Sequence, residues 1–358
     1  MLQQSATTTA RLKRSVETLH PAYFAMVMAT GVVAIAANWF GIRWIAVPLG
    51  LLNVVFFAVL AVMTVARVLF YPSAFWRDLT DHTRGVGFFT IVAGTGVLGT
   101  ELILIFGHYK PAAVLWFASI VLWVGFTYAI FTSFTIKEQK PTLADGINGG
   151  WLIAVVATQA VANLGTWLLP EFTGYADPIL FFSLALWLCG GMLYIWMISL
   201  IFYRYTFFRF LPSDLMPPYW INMGAMAIST LVGANLVKHA GMVPFMEGFV
   251  PFLKGFTVLF WATATWWIPM LLILALWRHV YKKFKFVYDP LYWGAVFPLG
   301  MYTVATLRLS EAMRLPFLSA ISGVFIYFAV TAWLLTFVGL VGSLAAFVRR
   351  GTARERVA

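Results

Sequence analysis

Thr30, Thr95, Thr158 and Gln159 each stand about nine residues into an apolar stretch of this chain. In such surroundings a hydroxyl or a primary amide offers a neutral hydrogen bond. Ser229, Thr230 and Thr303 come a turn later in stretches of the same kind. A track of neutral donors and acceptors replaces part of a small ion's water shell without placing a fixed charge beside it. A second set, Asn38, Glu101, Asn163, Asn235 and Arg308, follows at roughly 20 to 27 Å along its stretches, counting 1.5 Å per residue. Taken singly, groups of both kinds tie helices together. Their recurrence in five stretches points instead to a shared path, with the first set lining its middle and the second its outer vestibule.

Bond-breaking chemistry has no comparable support. The sequence contains no His-Glu-x-x-His, no Walker loop and no Gly-x-Ser-x-Gly, and His20, His82, His108, His239 and His279 are scattered near the ends of apolar stretches. No catalytic centre, metal site or cofactor is expected; an intramembrane enzyme or a structural membrane protein is the alternative class. Gly94-Thr-Gly96-Val-Leu-Gly99 fits the dinucleotide fingerprint but lies inside an apolar stretch, so it reads as close helix packing. The single Cys189 excludes an internal disulfide and reads as a small buried hydrophobe. Arg308 and Glu311, three apart on one helix face, read as a rim ion pair.

The elements that position these groups follow from composition. Of 358 residues 62% are hydrophobic and 10% charged, against about 25% charged in ordinary soluble domains, which makes this an integral membrane protein. Ten apolar runs are long enough to cross about 30 Å of hydrocarbon as helices: 21–40, 44–70, 85–106, 111–134, 150–169, 178–203, 218–237, 249–277, 290–309 and 316–348. The domain is therefore residues 20–348, between an N-terminal segment 1–19 and a tail 349–358. Arg11-Leu-Lys-Arg14 looks like the start of a signal peptide, but nine further helices follow the first, and it is expected to be retained. Lys and Arg number 18 on the N-terminal side of this topology and 6 on the other. Both termini are thus expected in the cytoplasm, in a plasma (inner) membrane. The net charge of +11 reads as this asymmetry and contact with anionic lipid, not as nucleic-acid binding.

The odd-numbered runs open alike, with Pro21-Ala-Tyr-Phe24, Gly85-Val-Gly-Phe88, Gly150-Trp151, Pro218-Tyr-Trp220 and Pro290-Leu-Tyr-Trp293. This repeat implies five helical hairpins. Odd runs are rich in small residues and even runs in bulky ones, so the odd helices are expected around a central pore and the even ones outside. No Asp, Glu, Lys, Arg or His stands in the middle of an odd run. The absence of a proton relay favours a channel-like mechanism, and the absence of a carboxylate ring favours an anion. Pro298 removes a helical hydrogen bond and bends the ninth helix. Phe297, roughly 10 Å from that helix's start, can lean inward and close a path by dewetting.

The segment from Trp293 through Phe297-Pro298 to Val-Ala-Thr306 resembles the ninth helix of the tellurite-resistance/dicarboxylate transporter family, which includes the plant slow-type anion channels. His20-Pro-Ala-Tyr-Phe-Ala-Met-Val-Met-Ala-Thr-Gly31 is similar to that family's first helix, and the resemblance extends over essentially the whole chain. It implies a homotrimer with one pore per protomer, blocked by a phenylalanine that maps to Phe297. It also implies small-anion substrates: malate and related C4-dicarboxylates, sulfite, chloride, nitrate or tellurite-linked species. The alternative within transport is an alternating-access malate or sulfite carrier.

Overall fold

A computed structural model describes residues 12–355. Arg11, and residues 356–358 of the tail expected at 349–358, lie outside the described residues. Ten long helices follow in order: α1 Ala25–Trp39, α2 Arg43–Phe70, α3 Phe89–Phe106, α4 Tyr109–Ile136, α5 Ile153–Trp167, α6 Ala176–Phe207, α7 Ile221–His239, α8 Val250–Leu276, α9 Trp293–Met313 and α10 Ser319–Glu355. Eight of these, counted with their leading turns, are long and apolar enough to cross a membrane. The exceptions are α5 and α9. With its leading turn α5 is as long as α1, but Gln159 and Asn163 make it less apolar, and α9 carries Arg308 and Glu311.

Each odd helix is preceded by a 3₁₀ turn: Pro21–Phe24, Gly85–Phe88, Gly149–Leu152, Pro217–Trp220 and Pro290–Tyr292. Proline suits this place because the first N–H of a helix has no partner to lose. Side chains cap three of the turns: His20 Nδ1 accepts from Ala22 N–H, Asn148 Oδ1 from Gly150 N–H, and Asp289 Oδ1 from Leu291 N–H. The five turns contact one another in a closed circle. Above them the odd helices do the same, with α1 on α3, α3 on α5, α5 on α7, α7 on α9, and α9 back on α1.

Small residues make that ring tight. A Cβ added at Gly31 would stand 2.7 Å from Val97, at Gly96 3.0 Å from Ala160, at Gly224 2.8 Å from Pro298, and at Gly300 2.7 Å from Val32. Gly96 belongs to the dinucleotide-like run, which here is a packing surface between α3 and α5. Each even helix lies against its own odd partner and the next odd helix round. Burial follows: the most apolar stretches of α1, α3 and α7 are 83% to 89% buried, those of the even helices 17% to 44%. Bulky groups such as Val62, Val121, Tyr327 and Leu335 are left on the outside, where acyl chains rather than water suit them.

Candidate functional site

A narrow cavity of about 10 Å³ lies on the axis of the ring, and all five odd helices line it; it has room for about one water. The lining falls in stripes at helical spacing: Val32, Ile35 and Trp39 on α1; Val97, Thr100 and Leu104 on α3; Ala160, Asn163 and Trp167 on α5; Ile228 and Leu231 on α7; Met301 and Val304 on α9. The stripe on α9 continues in both directions. One turn before Met301 is Phe297 and one turn after Val304 is Arg308, at the i, i+4, i+7, i+11 positions of a single face. Phe297 is fully buried and directly precedes Pro298, the one proline inside α9. Proline has no N–H to give to the carbonyl of Gly294, so the helix is freed to bend at the level of the ring.

Hydrogen bonds close the end of the cavity far from the 3₁₀ turns. Arg308 Nε donates to Asn235 Oδ1 at 2.7 Å, Asn235 Nδ2 to Asn163 Oδ1 at 3.1 Å, and Asn163 Nδ2 to Thr100 Oγ1 at 3.1 Å; Thr100 donates to the Gly96 carbonyl. The chain crosses α9, α7, α5 and α3 with every donor pointing the same way. The Arg308 guanidinium also lies 4.8 Å from the Trp167 ring and 5.9 Å from Trp39 on α1, within cation–π range. Glu311 pairs with Arg308 at 3.0 Å and with Lys238 at 2.7 Å. Two cations against one carboxylate leave this mouth basic. The rim pair read from the sequence is therefore present, with Lys238 as a third member.

Three of the five residues expected in the vestibule, Asn163, Asn235 and Arg308, thus meet. Asn38 stands apart, donating to the Leu104 carbonyl at 3.0 Å and so tying α1 to α3. Glu101 is a correction. It is fully buried and takes a 2.7 Å hydrogen bond from Asn53 on α2. One residue turns a helix by 100°, and Glu101, next to Thr100 of the cavity wall, lies at the side of that stripe, turned toward Asn53 on α2.

The hydroxyl track is also placed differently. None of Thr30, Thr95, Thr158, Gln159, Ser229 and Thr303 is among the residues around the cavity. Thr30 Oγ1 accepts the indole N–H of Trp333 on α10 at 3.0 Å, and Thr158 Oγ1 that of Trp123 on α4 at 2.8 Å. Gln159 donates to the Trp187 carbonyl on α6, and the Ser229 carbonyl accepts the Trp187 indole N–H. Thr95, Ser229, Thr230 and Thr303 donate to their own helices' carbonyls four residues back. An apolar surrounding obliges each hydroxyl to find a protein partner. For Thr30 and Thr158 the bulky outer helices supply it through tryptophan, and for the other hydroxyls the helix's own carbonyls do. What residue type could not reveal was the direction of these groups. Counting back from Asn163 and Arg308 in steps of three and four marks the apolar lining that type alone passes over.

At the opposite end Arg67, buried at the foot of α2, donates to the carbonyls of Glu17, Leu19 and Ala74 and pairs with Asp78; Arg84 reaches Asp78 at 2.9 Å. Burial opposes the charge on Asp78, but hydrogen bonds from Arg84 and Arg67 outweigh it and hold the carboxyl below its usual range. The neighbouring His20 imidazole is pushed down to about 4, by burial first and by the Arg84 charge second.

Comparison with known proteins adds independent findings. The family model described as "SLAC1: Voltage-dependent anion channel" matches residues 18–341. An uncharacterized transporter of Methanocaldococcus jannaschii is 25% identical over 298 residues, 81% of this chain and 84% of the relative. An uncharacterized membrane protein of Mycobacterium tuberculosis is 39% identical over 158 residues, 44% of this chain and 80% of the relative. A sulfite efflux pump of Trichophyton rubrum is 21% identical over 345 residues, 90% of each chain.

Proposed function

This chain belongs to the voltage-dependent anion channel family, and from that premise we propose that it passes small anions across the plasma membrane along the axis of the α1–α3–α5–α7–α9 ring, with Phe297 as the gate. One observation carries the reading: a cavity walled by all five ring helices lies on the same α9 face as a buried phenylalanine inward and an arginine outward. An anion entering from outside meets the basic group of Arg308 and Lys238, then a sleeve of Val, Ile, Leu and Met. A narrow apolar sleeve excludes water, so opening depends on clearing the ring of Phe297. The outer vestibule is Asn163, Asn235 and Arg308. Thr30, Thr158, Gln159 and the Ser229 carbonyl hold inner and outer helices together, which keeps the sleeve in shape, while the Thr95 and Thr303 hydroxyls are satisfied within their own helices.

The proposal includes ten membrane crossings, paired as five hairpins with both termini cytoplasmic, and one such pore per protomer of a homotrimer. Helix α5 crosses in spite of Gln159 and Asn163, because both are buried among its neighbours and shielded from lipid. Sulfite is the first substrate to try, because relatives covering 90% of this chain are named sulfite efflux pumps; malate and related C4-dicarboxylates come next. Purified protein in liposomes, given chloride, nitrate, sulfite, malate and a cation control, tests the reading. Fast anion flux without a counter-substrate is the expected result. Slow flux that requires one identifies an alternating-access carrier, and cation flux or none overturns the assignment.

A further inference from the structure

Glu101 is completely buried where α3 meets α1 and α2, and so is Asn53 beside it. Asn53 Nδ2 donates to Glu101 Oε2 at 2.7 Å. The remaining oxygen of each group, Glu101 Oε1 and Asn53 Oδ1, is buried without any hydrogen-bond partner. Both are acceptors, so the pair is short of one donor. Exchanging the nitrogen and oxygen of the amide does not cure this, because an acceptor then faces Oε2 instead.

No cation is at hand to compensate an ionised carboxylate. Among the elements packed on α3, α1 and α5 contain no charged residue. The charges on α2 are Arg43 and Arg67 at its two ends, ten and fourteen residues from Asn53 and so roughly 15 and 21 Å along the helix; Arg43 is exposed and Arg67 is engaged with Asp78. On α4 the one charge, Lys110, is exposed at the outer end, as is His108 in the preceding loop. Tyr23 and Tyr109 are partly buried near opposite ends of α3, and Tyr128 on α4 is exposed; Asn53 is the side chain that hydrogen-bonds Glu101. The space is nevertheless made for a carboxyl. A Cβ at Gly31 would stand 2.8 Å from Oε2, and one at Gly50 3.3 Å from Oε1. A carboxylate isolated from water and from cations is far costlier to bury than the neutral acid.

We propose that Glu101 is a resident proton site, occupied as the neutral carboxylic acid paired with Asn53. A proton taken from water sits on Oε1 and is donated to Asn53 Oδ1, while Asn53 Nδ2 donates to Oε2. Acid and amide then close a ring of two hydrogen bonds that fastens α3 to α2 and satisfies both orphaned oxygens at once. On the reading of the axial cavity as the anion path, the same proton keeps a negative charge away from its wall, since the adjoining Thr100 lines it.

Infrared difference spectroscopy of the purified full chain, in a detergent without ester groups, tests this independently of any flux. The wild-type minus Glu101→Gln spectrum is expected to show the carbonyl stretch of a protonated carboxylic acid at neutral pH, sensitive to deuterium and persisting under alkaline conditions. Glutamine can form the same two hydrogen bonds, so that variant is expected to assemble. Asn53→Ala supplies a second comparison, in which the acid band moves to higher frequency as its partner is lost. A carboxylate doublet in place of the acid band, or an acid band unmoved by Asn53→Ala, overturns the proposal.

Discussion

Replacing Phe297 by alanine removes the ring proposed to close the path. Phe297 is fully buried, and burying a phenylalanine side chain is worth about 1.5 to 3 kcal/mol. If the ring must leave its packed position for an anion to pass, the open form of the wild type is disfavoured by about that amount. Each 1.36 kcal/mol is tenfold, so Phe297→Ala is expected to raise anion flux by about 10- to 100-fold. The same truncation costs about 3 to 5 kcal/mol of packing in a well-filled core, and assembly must therefore be checked by size-exclusion chromatography before flux is compared. Anion selectivity is retained in the variant, because Arg308, Lys238 and the apolar sleeve are unchanged. Phe297→Leu opens the path less, since most of the apolar volume remains. Stopped-flow or radiotracer uptake into liposomes measures all three proteins. A correctly assembled Phe297→Ala with unchanged or lower flux refutes the reasoning and moves the constriction to Met301, the next residue outward on the same face. Tyr302 is not a substitute, because its hydroxyl is 2.8 Å from Thr265 on α8 and its ring packs on Trp261 and Phe325.

Four further outcomes are expected. Arg308→Ala removes one of two cations at the outer mouth and a charged hydrogen bond, so anion uptake at low concentration falls about 5- to 10-fold, from roughly 1 kcal/mol of lost attraction, and loses much of its salt dependence; uptake that rises or is unchanged contradicts the basic mouth. Thr30→Val leaves the Trp333 indole N–H unsatisfied, which lowers thermal stability by about 1 to 3 kcal/mol while flux per assembled protein stays near wild type; a selective loss of flux returns Thr30 to the path. His20 caps its turn in the neutral form, with a pKa held at about 4 against 6.5. The unfolded chain therefore binds the proton first, and stability, constant above 6.5, declines as pH falls from 6.5 toward 4, by up to about 3 kcal/mol. His20→Asn can cap without titrating and is expected to flatten that decline in a thermal melt. In a Cys189→Ser background, cysteines at Lys283 and Lys110 label from opposite sides of the membrane, with Lys283 inside; labelling of Lys283 from outside intact cells reverses the topology.

Much of this protein is written in residue type and periodicity. Hydrophobic runs of membrane length, the Lys and Arg asymmetry, the proline- and glycine-led starts of the odd runs, and the contrast between small and bulky helices were all readable without coordinates. So was the pairing of Phe297 with Pro298, since a proline inside a helix announces itself. Each depends on quantities that belong to one residue or one stretch: transfer free energy, side-chain volume, a missing N–H. Direction around a helix is another matter. A membrane helix that is apolar on every side has little hydrophobic contrast to say which face looks inward, so the hydroxyls of Thr30 and Thr158 could be assigned to the axis when they in fact meet Trp333 and Trp123. Glu101 and Thr100 are neighbours in sequence, yet one faces Asn53 and the other the cavity, because 100° of rotation separates them. Asn163, Asn235 and Arg308 form one hydrogen-bonded chain only because α5, α7 and α9 stand side by side. Tertiary packing alone sets which polar groups find each other, since in a medium without water each must take the partner that the neighbouring helix presents.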